Sequence, residues 1–218
     1  MFSGIPLLLN NATCRSGFSR EQLASKIAPI PTRVIFAASA LERLVRPVGI
    51  SREQSAAPQS CCYIPPMNLY LVRHGKAVDS EVDPERSLSD RGLKDVSRLA
   101  SYLEDRITVP LVLHSGKKRA EQTGSILADA IGAERIEQVL GIAPMDSSDY
   151  LIEYIAAQTT DVLVAGHLPH LGNVVSRLVT GSESVPVVHF KTSTLVRLEL
   201  DDTGCWVIRW VLSPELFR

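Results

Sequence analysis

Four short stretches of this 218-residue chain carry side chains able to hold and transfer an anion. They are Arg73-His74-Gly75, His114-Ser115, the lone Arg119, and Gly166-His167. Arginine presents a planar fork that matches phosphate oxygens, and histidine can donate, accept or attack. Gly75 lets the backbone turn sharply or approach a ligand closely. Arg119 falls in what reads as the first turn of a helix, where free N–H groups and the helix dipole favour an anion. The run Lys117-Lys118-Arg119 opposes that dipole unless an anion belongs there. Two guanidinium ions (Arg73, Arg119) and two imidazoles (His74, His167) suit a tetrahedral dianion. Singly, each has a plainer explanation: a histidine at a strand end usually makes a structural hydrogen bond, and first-turn cations are usually solvated. Their common position after apolar runs favours a site. His114 either lines that site or only faces it, and His170 and His189 have no such pattern.

The elements that would position these groups follow from periodicity. Leu69-Tyr70-Leu71-Val72, Leu111-Val112-Leu113 and Asp161-Val162-Leu163-Val164-Ala165 are short apolar runs of the kind that fill buried strands. Each ends in one of the polar clusters, and in an open α/β sheet ligands bind at the carboxyl ends of the strands. A polar loop, 79–87, precedes a helix capped by Ser89 or Asp90 and running to about Asp105, with Leu93, Val96, Ala100 and Leu103 on one face. A second helix runs to Ile131, with Gly132 placed as its C-cap. A short strand is expected near 135–140 and a helix near 147–157. A further helix spans about 169–179, with Leu171, Val174, Val175 and Leu178 on one face. Thr194–Leu200 and Cys205–Leu212 alternate around Asp202-Thr203-Gly204 and read as a hairpin. The pattern predicts an α/β fold, a three-layer sandwich with a mostly parallel central sheet.

The first 66 residues are a different kind of sequence. They hold seven Lys/Arg against three acids, whereas residues 67–218 hold 16 against 21. Pro65-Pro66 marks the shift, so the expected division is an N-terminal extension, 1–66, and one domain, 67–218. One amphipathic piece, 34–45, has helical spacing. The Arg/Ser-rich, acid-poor start suits an organellar transit peptide; the alternative is a largely unstructured extension, or sequence lying upstream of a true start at Met67. Net charge −1 argues against a nucleic-acid surface, and no apolar run has the length of a membrane span. The cysteines (Cys14, Cys61, Cys62, Cys205) match no zinc spacing, and the expectation is a reducing, cytoplasmic setting without a disulfide framework, with organellar import if the extension is real.

Taken together, Arg73-His74-Gly75, Arg119 within Ser-x-x-x-Arg-Ala-x-Gln-Thr (115–123) and Gly166-His167 resemble the histidine phosphatase (phosphoglycerate mutase-like) superfamily. Leu-Ser-x-x-Gly at 88–92, Arg-Ala-Glu-Gln-Thr at 119–123 and His-Leu-Pro at 167–169 resemble its SixA-type phosphohistidine phosphatases. The resemblance covers Met67 to about Pro214. It implies a phosphoglycerate mutase-like fold, with His74 as the nucleophile that takes the phosphoryl group. Arg73, Arg119 and His167 would hold the phosphoryl oxygens, without metal or cofactor. It implies a monomer in signal transduction, acting on a phosphorylated histidine-containing protein such as a phosphotransfer domain. One departure stands out. Larger members carry a carboxylic acid after the third strand or just after the second histidine, to protonate an alkoxide leaving group. Here Leu168 follows His167 and 140–144 contains no acid, leaving Asp79, Glu81, Asp83, Asp146 and Asp149 as distant alternatives. The alternatives in function are a phosphatase of small phosphate esters and a non-catalytic phosphate-binding relative.

Overall fold

The computed structural model describes residues 67–217, and the expectations for 1–66, including the 34–45 piece, fall outside them. Met67–Arg73 forms β1, the strand around which the sheet is ordered. Alternate side chains point to opposite faces of a strand. Leu69 and Leu71 accordingly enter one core cluster and Tyr70 and Val72 the other. Both faces are covered, which is why the run is apolar throughout rather than alternating.

Asp90–Leu103 is α1, capped by the Ser89 hydroxyl accepting from Gly92 N at 3.2 Å. Its buried face is Gly92, Asp95, Val96, Leu99, Ala100 and Leu103, whereas Leu93, expected on that face, stands exposed. β2 is Leu111–His114 and α2 is Lys118–Ile131, which ends on Gly132 at φ 64° as the sequence predicts. β3 (Arg135–Gln138), α3 (Ser148–Ala156), β4 (Val162–Gly166) and α4 (His170–Thr180) follow, each within a residue or two of its expected bounds. The hairpin is β5 (Leu195–Leu200) and β6 (Trp206–Leu212), and a 3₁₀ turn, Pro214–Phe217, closes the chain. Cys205, just before β6, is disulfide-bonded, contrary to the expectation of a reducing setting without a disulfide framework.

The six strands lie in the order β3-β2-β4-β1-β5-β6. β1, β2, β3 and β4 run parallel, and β5 and β6 add an antiparallel edge. Helices α1 and α2 pack on one face through Val96, Leu99, Leu103, Leu127 and Ile131. α3 and α4 pack on the other through Leu151, Ile155, Leu171, Val174 and Leu178. This is the three-layer α/β sandwich read from the sequence. The parallel register aligns Arg73 with Gly166 and His114 with Ala165, so the ends of β1, β2 and β4 share one edge. Among the described residues no helix is long and apolar enough to cross a membrane.

Candidate active site

At that edge β1 continues one residue past its last ladder pair, His74 N donating to Gly166 O at 3.0 Å. The chain then turns at Gly75, where a Cβ would lie 2.8 Å from Val96 Cγ2 and 3.1 Å from Gly92 O. Helix α1 is that close because Gly92 also lacks a Cβ, which would fall 2.1 Å from the Lys76 carbonyl oxygen. Ser89 Oγ donates to the same carbonyl at 2.9 Å. The Leu-Ser-x-x-Gly stretch is therefore a clasp holding the start of α1 against the loop that carries His74.

Helix α2 holds the loop from the other side. Thr123 Oγ1 accepts from Gly75 N at 3.1 Å and donates to Arg119 O at 2.7 Å. Gln122 Oε1 accepts from Leu88 N at 2.7 Å. Arg119, one turn earlier on the same helix, reaches His74, its Nε donating to His74 Nε2 at 3.3 Å. His74 Nδ1 lies 2.7 Å from Gly75 O. A carbonyl can only accept, so Nδ1 carries the proton and the Nε2 lone pair faces the guanidinium.

His167 follows β4. Its ring centroid is 4.9 Å from that of His74, and its Nε2 is 2.6 Å from Ser115 Oγ. Its Nδ1 is buried without a hydrogen-bond partner. Arg73 donates through Nη1 to Phe190 O at 2.8 Å, and its Nε is also buried without one. Burial, reinforced by the charges of Arg119, Arg73 and Arg86 against the raising effect of the Gly75 bond, pushes His74 down to about 4. Burial, with His74, Arg119, Lys117 and His170 nearby, pushes His167 down to about 3. Both imidazoles are neutral at neutral pH, one with a lone pair aimed into a cationic site. Burial lowers Arg73 and Arg119 from their ordinary value too, yet arginine stays charged in proteins.

Of the residues read from the sequence, His74, Arg119 and His167 are brought together, and Arg73 lies close enough for its charge to act on His74. His114 is not part of this group. It is buried, and its Nδ1 accepts from Gly116 N at 3.2 Å within the turn after β2. His170 is buried at the start of α4, and His189 is exposed. The sequence did not single out Ser115 as a partner of His167, although its place immediately after a core strand was a usable signal. Arg86 was not visible at all: it lies in the 79–87 loop, and its charge bears on His74 and Arg119.

The acids named as distant alternatives are largely committed elsewhere. Asp83 accepts from Ser87 N at 2.8 Å and from Glu85 N at 3.0 Å, and Asp146 accepts from Ala143 N at 2.7 Å. Asp149 pairs with Arg177. Among the described residues no group of three or more His, Cys, Asp or Glu is arranged to hold a metal ion.

The chain that carries this sheet edge matches known proteins by sequence and by shape. Residues 69–150 match the family model of the histidine phosphatase superfamily, branch 1. The chain is 31% identical over 155 residues to phosphohistidine phosphatase SixA of Escherichia coli K12, spanning 68% of this chain and 94% of that protein. It is 24% identical over 165 residues to the SixA homolog of Haemophilus influenzae, spanning 69% of this chain and 99% of that one. A solved structure of the protein histidine phosphatase SixA complexed with tungstate superposes with a TM-score of 0.61 at 26% identity, covering 70% of this chain and all of that one. The chain belongs to the histidine phosphatase superfamily. Within it, the likeness is to the SixA phosphohistidine phosphatases.

Proposed function

We propose that this enzyme removes the phosphoryl group from phosphohistidine on a protein, through a phosphohistidine intermediate on His74. The observation that carries the proposal is the tautomer of His74: Nδ1–H is spent on Gly75 O, and the Nε2 lone pair faces the site beside Arg119. In the first step Nε2 forms an N–P bond as the P–N bond of the substrate breaks. The departing imidazole takes the electron pair and leaves neutral, provided its other nitrogen already carries a proton. In the second step water attacks phosphorus, inorganic phosphate leaves, and the Nε2 lone pair is restored. An imidazole nucleophile thereby splits the displacement in two.

Arg73, Arg119 and His167 hold the phosphoryl oxygens, since the protein's share of phosphoryl transfer is positioning and charge stabilisation. The buried, unpartnered Nε of Arg73 is a donor in need of such an oxygen. With two guanidinium ions supplying positive charge, the chemistry is expected to run without metal. Tungstate, present in the SixA structure, is expected to inhibit here as a tetrahedral stand-in for phosphate.

The leaving group decides between a phosphohistidine and a small-ester substrate. An alkoxide needs a positioned proton donor near neutral pH, and Asp83 and Asp146 are tied to backbone N–H groups. Turnover is therefore expected to be efficient on a phosphohistidine protein, moderate on aryl phosphates and low on alkyl phosphates, and to vanish in His74→Ala. A series of kcat/KM values against leaving-group pKa tests this. A flat series would favour small esters, and turnover surviving in His74→Ala would end the mechanism.

A further inference from the structure

Arg86 is a third guanidinium beside the site, and the reaction above gives it no part. It stands exposed near the end of the loop that follows β1. We propose that Arg86 is a further substrate-binding residue, its guanidinium closing on the phosphoryl oxygens from the side of this loop. The proposal rests on phosphoryl transfer at His74 and adds a contact to it.

Two sets of ties fix where Arg86 stands. At the base of the loop Leu88 pairs with Ala77, and its N–H donates to Gln122 Oε1 at 2.7 Å. Gln122 follows Arg119 by one turn of α2, so the chain two residues beyond Arg86 is fastened to the helix that carries Arg119. Within the loop Val78 N donates to Ser87 O at 2.9 Å, and Arg86 N donates to Asp83 O at 2.9 Å. The Asp83 carboxylate accepts from Ser87 N at 2.8 Å and Glu85 N at 3.0 Å, so it braces the backbone around Arg86 instead of pairing with its guanidinium. Between these ties Arg86 adopts φ 56°. A left-handed backbone is uncommon for a residue with a long side chain and persists only where its surroundings impose it. Such residues concentrate at ligand-binding sites.

The side chain held there has little to bind within the protein. Its Nε reaches Val78 O at 3.5 Å, a long and weak contact. Among the described residues neither Nη has a hydrogen-bond partner and no carboxylate pairs with the guanidinium. Its charge bears instead on Arg119 and His74. Like charges held together cost free energy while the site is empty, and a dianion between them turns that repulsion into attraction. A planar fork with free Nη donors suits a tetrahedral oxyanion. A neutral ligand would leave the repulsion in place, and a cation would add to it.

The test is tungstate binding to the full chain by titration calorimetry, which reads the phosphoryl pocket without depending on turnover or on the substrate. Arg86→Asn removes the guanidinium but keeps a residue that tolerates a left-handed backbone. It is expected to melt no lower than the unmodified protein and to bind tungstate about tenfold more weakly, the scale of one charge-assisted hydrogen bond. Arg86→Lys, which keeps the charge and loses the fork, is expected to fall between the two. Arg106→Gln removes an equal charge past the end of α1, where Arg106 packs over Tyr102, and is expected to leave binding within about twofold. Equal weakening by Arg106→Gln would reduce the effect to net charge. A fall in melting temperature accompanying the weaker binding of Arg86→Asn would make Arg86 a structural residue. Either result overturns the proposal. So does tungstate binding within about twofold in Arg86→Asn, even if the acid limb of 4-nitrophenyl phosphate hydrolysis moves, because Arg86 would then act on His74 through charge alone. If phosphohistidine turnover fails while tungstate binding still depends on Arg86, the substrate assigned above is wrong and this contact stands.

Discussion

The protonation of the two site histidines is set by burial and neighbouring positive charge acting in the same direction. In the proposed mechanism His74 attacks as the neutral imidazole, and burial beside arginines holds it so down to about pH 4. The limb of kcat/KM governed by His74 should therefore stay level through pH 6.5, the ordinary histidine value, and fall only near pH 4. A limb falling near 6.5 would mean that His74 is more hydrated than its burial implies. Stability has the opposite convenience. His74 and His167 both bind protons less readily folded than unfolded, so the unfolded state gains protons first as pH drops. Stability contributed by these groups is complete above about 6.5 and declines below it toward their folded values. Removing the Arg119 guanidinium as Arg119→Ala is expected to cost about 10² to 10³ in kcat, the scale of a lost preorganised donor. Ser115→Ala should cost less, because Ser115 holds His167 (Nε2 at 2.6 Å) rather than the substrate, and Ser115→Thr should restore most of the loss. Parallel kcat measurements on the three variants check this; a serine effect as large as the arginine one would place Ser115 in contact with phosphate.

Among the elements, α1 and α2 matter less as core-covering helices than as brackets for one loop. Gly92 admits the Lys76 carbonyl, Ser89 accepts and donates within the same clasp, and Gln122 and Thr123 pin Leu88 and Gly75 from the neighbouring helix. A methyl at position 92 would stand 2.1 Å from a backbone oxygen, which no side-chain rotation relieves. Gly92→Ala is expected to destabilise by about 1–3 kcal/mol or more and to depress activity further than stability alone explains, because the displaced loop carries His74. Thermal melts and kcat on the same preparation separate the two; unchanged activity in a folded Gly92→Ala protein would show that the clasp does not set the position of His74. The same contacts explain why Leu-Ser-x-x-Gly and Arg-Ala-x-Gln-Thr keep company: they are two halves of one support.

At the scale of the molecule, the core clusters of the described residues run from Met67 onward, and two helices cover each face of the sheet. We propose that a protein beginning at Met67, which keeps Cys205 as its sole cysteine and so loses the disulfide, still folds cooperatively and turns over like the full chain; a large loss of melting temperature that reduction of the full chain does not reproduce would mean that residues 1–66 pack on the core. Which residues meet at the sheet edge was legible in the sequence, because a buried strand that breaks into Arg-His-Gly or Gly-His brings its polar ending to one edge of any parallel sheet. Strand and helix limits were legible for the same reason, through apolar runs, the Ser89 cap and Gly132. Three matters depended on tertiary contacts between segments far apart in sequence. Leu93 lies on the apolar spacing of α1 yet is exposed, since the neighbouring surface and not the period decides which side is covered. His114 and His167 both end core strands, but only His167 faces His74, while His114 closes its own turn. The protonation state of His74 arises from a carbonyl one residue away and a guanidinium 45 residues away, and no local pattern in the chain encodes the distance between them.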